Sequence, residues 1–241
     1  MAFDYKKEFK EFYLPPAKPQ IVTVPQMQFV AVRGKGNPNE EEGEYKNALN
    51  VLYAVSYTLK MNYKKQAETL GYFDSGLTLN GKPRTKAVKG LNAVSLDSLY
   101  YVVPPLEGFW WQNGINGIDY SHKEKLEWIS LIRLPDFVCK QDFDWAKETA
   151  QKKKGLDTSC AELFKYAEGK CVQIMHLGSY DAEPASIKLM DDFAAANGYE
   201  TDFSESRFHH EIYLSDPRKV APEKLKTVIR HPIKEFYTKQ N

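Results

Sequence analysis

Cysteine is scarce in this 241-residue chain, which has only Cys139, Cys160 and Cys171. They are odd in number, far apart and free of C-x-x-C spacing, which argues against a disulfide framework or a zinc ribbon and suits a reducing compartment. Net charge is nearly absent too: 33 Lys and Arg face 32 Asp and Glu, a formal balance of +1. Such a chain has no overall field to steer it onto nucleic acid or an anionic membrane. No apolar run reaches the length of a membrane span, and the opening MAFDYKKEFKEFYLPPAKPQ scatters charges where a signal peptide needs an apolar stretch. The expected location is the cytoplasm, with no direct contact to DNA or membrane. RGKG at 33–36 lacks the lysine-hydroxyl ending of a phosphate loop and reads as a glycine turn. GKPRTKAVKG at 81–90 has no interleaved aromatics and reads as a solvated loop.

What the chain does have is apolar and aromatic content, 42% and 13%, enough for a sizeable core in one large domain or two closely joined halves. Its elements come in a repeated order. PQMQFVAVRGKG is strand-like, and the helix after it carries a stripe of Ala48, Leu52, Val55 and Leu59. KCVQIMHLGSYD is again strand-like, and EPASIKLMDDFAAANG places Ile187, Met190, Phe193 and Ala194 on one side, with Pro184 in its first turn and Gly198 at its end. SLYYVVPP and KLEWISLIRLP supply strands to the first half and FHHEIYLSDP one to the second; DFDWAKETAQKKKG between them reads as a helix capped by Asp142 and stopped by Gly155. The expected architecture is α+β: one domain over 1–241 built from duplicated β-α-β-β units, with halves at about 19–137 and 138–235 and helices on one sheet face.

Glu211 stands out because Ile212, Tyr213 and Leu214 beside it favour a strand, and a charge on a buried strand face costs several kcal/mol unless compensated. On an ideal strand His209, Glu211 and Tyr213 point one way and His210, Ile212 and Leu214 the other. Glu211 is therefore either a solvated residue or a carboxylate kept for use in a ligand groove. Adjacent His209 and His210 diverge and do not form a metal pair. PPLEGFWWQNG at 104–114 places Phe109, Trp110 and Trp111 in a segment broken by Pro105 and Gly108, which reads as a loop. These rings either plug the core or wall a flat ligand, with Tyr100, Tyr101 and Tyr180 as further panels and Glu107 as a second carboxylate. Glu183, at a helix start, reads as a complement to the helix dipole.

Together PLEGFWW, HLGSYDAEPASIKLMDDFAAANGY and HHEIYLSDPRKVAPEKLKTVIRHP resemble the GyrI-like small-molecule-binding family, from about Pro19 onward, and in particular its stand-alone bacterial members. The resemblance implies two β-α-β-β units related by pseudo-twofold symmetry around an aromatic-lined cleft, with Glu211 at the position of the family's cleft glutamate. The PLEGFWW segment is most similar to the subgroup that hydrolyses cyclopropane-bearing DNA-alkylating compounds without a cofactor or metal. The implied roles are Glu211 as base, Tyr180 or Tyr213 as its helper, and the tryptophans as a stacking surface for an aromatic or lipophilic ligand. The same residues suit sequestration of lipophilic cations without chemistry; a third reading is a gyrase-inhibitor-like interaction module, for which the near-neutral charge balance offers no obvious patch. No helix-turn-helix precedes the cleft segment, which sets the chain apart from the family's transcription regulators.

Overall fold

The computed structural model describes residues 2–69 and 96–236, so the basic stretch 81–90 lies outside the described residues. In chain order come two short helical turns, α1 (Tyr5–Glu8) and α2 (Lys10–Tyr13), then β1 (Gln20–Lys35), α3 (Glu44–Thr69), α4 (Leu96–Leu99), β2 (Leu106–Trp111) and β3 (Glu127–Leu134). They are followed by α5 (Lys140–Lys154), β4 (Glu162–Leu177), α6 (Glu183–Ala196), β5 (Tyr199–Thr201), β6 (His209–Tyr213) and β7 (Lys226–Glu235). The class is α+β. Strands pair antiparallel in the order β4-β1-β3-β2-β6-β7, and a further β4–β7 pairing closes them into a barrel, with β5 added on β7. The pairing β1–β3–β2 is matched by β4–β7–β6, and the two sets are joined through β1–β4 and β2–β6.

Closure changes what the two sheet faces are. One face is the barrel interior, and the helices lie outside, α3 on β1 and β3, α6 on β4 and β5. The buried stripe of α3 holds Ala48, Leu52, Val55 and Leu59 as periodicity predicts, and α6 buries Met190 and Ala194. Phe12 and Tyr13 are buried from the N-terminal turns, and the Phe12 backbone carbonyl accepts from Arg230 over 2.9 Å. Sequence alone places no structure on this segment.

The segment read as a loop is strand β2. Gly108 does not break it, because the glycine is there to make space: a Cβ would lie 2.5 Å from Trp110 Nε1. Gly34 does the same in β1, opposite Trp128, whose ring a Cβ would meet at 2.3 Å. The expected strand SLYYVVPP is instead α4 followed by an irregular stretch, with Tyr101 bridging to Phe3. Pro104 and Pro105 cannot donate to a ladder, so pairing starts only at Leu106. Asp142 lies in the first turn of α5, whose N-cap is Cys139, and Gly155 closes the helix at φ 66°.

Candidate functional site

A cleft of about 660 Å³ opens on the outer, helix-bearing side of β2 and β6, not on the opposite sheet face. That volume is ordinary for a small-molecule site, roughly 300 to 1,000 Å³. Register explains its floor. In the β2–β6 pairing Gly108 stands opposite Glu211, Trp110 opposite His209, and Leu106 opposite Tyr213. With period-two alternation these side chains share the outer face, and the missing side chain at Gly108 leaves room for the indole and the carboxylate.

Aromatic walls surround the carboxylate. Trp110 Nε1 donates to Tyr213 Oη over 2.9 Å, and Tyr45 from α3 lies against both Trp110 and Trp128, with ring centroids 5.4 and 5.1 Å apart. Tyr180 meets Tyr213 edge-on at 5.8 Å, and Tyr120 and Tyr53 complete the lining. Burial, and after it the Glu211 carboxylate, push the Tyr213 hydroxyl well above the usual tyrosine range; the same causes push Tyr180 up to about 12. Both are therefore neutral hydrogen-bond donors near neutral pH.

Glu211 is 8% exposed and does not stand alone. His209 Nε2 lies 2.9 Å from its Oε1. Glu183, from the first turn of α6, is fully buried beside it, and Tyr120 donates to Glu183 Oε2 over 3.2 Å, while no donor among the described residues reaches Oε1. Burial, then the neighbouring Glu211 charge, push Glu183 well above the ordinary carboxylate range and favour its protonated form. A neutral carboxyl does little for a helix dipole, so the reading of Glu183 as a dipole complement is corrected: it is a second acid in the cleft. A buried carboxyl whose surroundings favour its protonated form, set beside a second carboxyl group, is a common arrangement for acid–base chemistry. The donor atoms of Glu183, His209 and Glu211 lie within 4.8 Å of one another, but both His209 nitrogens are already hydrogen-bonded, and the cluster reads as proton-handling.

The other expected site residues separate. Glu107 and Phe109 alternate with Gly108 and Trp110 and so point into the barrel. There Tyr13 Oη donates to Glu107 Oε1 over 3.0 Å and His210 Nε2 lies 3.1 Å from Glu107 Oε2. Phe109 packs on His210 and Tyr166 at 4.5 and 4.9 Å. Trp111 faces away from the cleft and packs on Phe208 at 4.7 Å. Tyr101 is buried elsewhere, and Tyr100 carries Lys64 Nζ 5.3 Å from its ring centroid; neither lines the cleft. Sequence reasoning missed Tyr45, Tyr53, Tyr120 and the role of Glu183. A signal for part of this existed in α3, where Tyr45, Leu49 and Tyr53 form a second stripe at four-residue spacing beside the core stripe.

Residues 135–234 match the GyrI-like small molecule binding domain. Among solved structures, the chain is similar to an uncharacterized conserved protein from Listeria innocua, at 40% identity and TM-score 0.77, covering 96% of this chain and all of that one. It is also similar to two structures of hydrolases from the same organism. One has 40% identity, TM-score 0.77 and coverage of 97% and 100%; the other has 39%, 0.75, and coverage of 96% and 100%. No curated protein matches the chain. Among the described residues no helix is long and apolar enough to cross a membrane.

Proposed function

The chain belongs to the GyrI-like small-molecule-binding family, and from that premise we propose that it binds planar lipophilic electrophiles and opens cyclopropane rings conjugated to a dienone by adding water. The observation that carries the reading is Glu211 on an aromatic-walled cleft floor, backed by His209 and flanked by the fully buried Glu183, whose burial beside Glu211 favours its protonated form. Solved relatives named as hydrolases support a reaction rather than mere storage.

In this reading a water in the cleft gives a proton to Glu211 as its oxygen bonds to the cyclopropane carbon. The ring C–C bond breaks, and its electron pair passes through the conjugated system to the carbonyl oxygen. Neutral hydroxyls of Tyr180 and Tyr213 stabilise the growing charge, and Glu211 returns the proton to the phenolate. Substrate plus water gives a ring-opened alcohol and a phenol, with no proton gained or lost overall. Trp110 and Tyr45 supply flat surfaces for the substrate.

The test is incubation with a cyclopropadienone alkylator and mass detection of the water adduct for wild type and Glu211→Gln. The amide keeps size but not basicity, so turnover should fall by roughly two to four powers of ten while neutral-ligand affinity stays within about twofold. Equal turnover in the two proteins removes Glu211 as the base. A second reading, sequestration of lipophilic cations, draws on the same carboxylate among ring faces. It holds instead if wild type returns the alkylator unchanged and Glu211→Gln weakens only cationic ligands.

A further inference from the structure

Behind Glu211 a file of buried side chains leads away from the cleft. Glu211 Oε1 lies 2.9 Å from His209 Nε2, His209 Nδ1 lies 2.8 Å from His231 Nε2, and His231 Nδ1 lies 3.1 Å from Asp191 Oδ1. Both imidazoles are 2% exposed, whereas Asp191 on α6 keeps 42% of its side chain in solvent. Its end of the file borders a side pocket of about 460 Å³, which Ile118 and Tyr120 separate from the cleft.

Counting protons constrains this file. Three contacts need three protons, an ionised carboxylate only accepts, and a neutral imidazole carries one N–H. With Glu211 and Asp191 ionised and both rings neutral, one contact would set two lone pairs against each other in a buried place, which is costly. Burial first, and then His209, push His231 below the usual imidazole range even with Asp191 beside it, so its single proton is available to Asp191 from Nδ1. His231 Nε2 is then an acceptor, and His209 must donate from both nitrogens.

We propose that Asp191 and His231 are positioning residues that hold His209 as a two-proton donor and so place a cation against the cleft carboxylate. This deepens the assignment of Glu211 as the base and rests on it for its catalytic consequence. One cation at the back of Glu211 compensates its burial and lets Glu183, hydrogen-bonded beside it, remain neutral. The other groups facing the file are Tyr45 from α3, Tyr120 from the segment before β3, Tyr180 ahead of α6 and Tyr213 on β6 at the Glu211 end, with Glu168 of β4 acting at longer range on His231. Lys188 and Asp192, which also line the side pocket, neutralise each other at 2.7 Å.

The Asp191→Asn variant discriminates sharply. An amide can donate to His231 Nδ1, which moves the His231 proton to Nε2, satisfies His209 Nδ1 from outside, and leaves His209 with Nε2–H alone. All three contacts then form without an imidazolium. Nitrogen-15 NMR of the histidine rings in the full chain near neutral pH should show one ring protonated on both nitrogens, assigned to His209 by its loss in His209→Gln, and that ring should become singly protonated in Asp191→Asn. A singly protonated His209 in wild type, or no change in Asp191→Asn, overturns the proposal. On a compound that wild type hydrolyses, Asp191→Asn should move the acid limb of the rate profile upward by about one pH unit, so that on that limb kcat falls about tenfold for want of ionised Glu211 while KM is unchanged, with recovery in Asp191→Glu. An unmoved acid limb counts against it as well. If wild type hydrolyses none of the probes, the assignment of the base fails, while the NMR arm still decides the protonation of His209.

Discussion

Trp110 donates its indole N–H to the Tyr213 hydroxyl across Gly108, a position where any side chain would collide with the indole and crowd the hydroxyl. An added Cβ would stand 2.5 Å from Trp110 Nε1 and 3.2 Å from Tyr213 Oη. The indole cannot easily retreat, because Tyr45 packs on it, and the backbone cannot shift, because β2 is paired to β3 on one side and β6 on the other. Gly108→Ala should therefore lower stability by about 1 to 3 kcal/mol, the usual cost of overpacking, and weaken ligand binding at the same time. Urea unfolding together with calorimetric titration of a planar aromatic ligand checks this. Wild-type stability and affinity together would mean that the indole is free to move.

A second relationship lies inside the barrel, where Glu168 sits between Arg230 at 2.8 Å and His210 at 3.1 Å. Burial by itself would push Glu168 up, but Arg230 and then His210 outweigh it and hold the carboxyl at about 2. Burial would likewise lower His210, yet Glu168 and Glu107 raise it above the ordinary imidazole value. A depressed carboxylate contributes stability above its unfolded value, lost as pH falls from about 4.5 toward 2. A raised histidine contributes stability in full below about 6.5, lost as pH climbs through its folded value. Unfolding free energy should thus peak at roughly pH 5 to 7 and decline on both sides. Arg230→Met removes one partner of a buried pair and should cost about 3 to 5 kcal/mol. It should also flatten the acid limb, because Glu168 is no longer held down. Denaturant titrations across pH read both effects, and parallel acid limbs in the two proteins would show that Glu168 does not set the acid sensitivity.

How much of this was legible beforehand depends on whether the cause is local. The alternation His209–Glu211–Tyr213 against His210–Ile212 is a property of one strand, and the stripes of α3 and α6 are properties of single helices; these features follow from periodicity. Barrel closure is not local, since it depends on β4 pairing with both β1 and β7, and nothing within β4 announces a second partner. β2 was misread because Pro105 and Gly108 are breakers by type, whereas here the proline precedes the strand and the glycine answers a neighbour's bulk. Glu183 misled for a similar reason. A carboxylate at a helix start has a sufficient local explanation, and only the tertiary fold brings Glu211 beside it. The pairing of Asp191 with His231 joins residues 40 positions apart and has no signature at all in the sequence.

The two tryptophans separate the cleft from the core most cleanly. Being neighbours on β2, they point in opposite directions: Trp110 lines the cleft beside Tyr45 and Tyr213, and Trp111 packs on Phe208. As a loop pair they would both contact a ligand; as strand neighbours only one can. Trp110→Ala should therefore cost on the order of 1 to 3 kcal/mol of affinity for a planar aromatic ligand, as for other buried aromatic anchors, and leave Tyr213 Oη without its donor. Trp111→Ala should leave that affinity within about twofold and instead lower unfolding stability, because its loss opens a gap over Phe208. Calorimetry and denaturant unfolding on both folded variants measure the four quantities. Equal losses of affinity would return Trp111 to the ligand surface. Wild-type affinity in Trp110→Ala would mean that ligands bind away from this floor, and Glu211 would then face an empty wall.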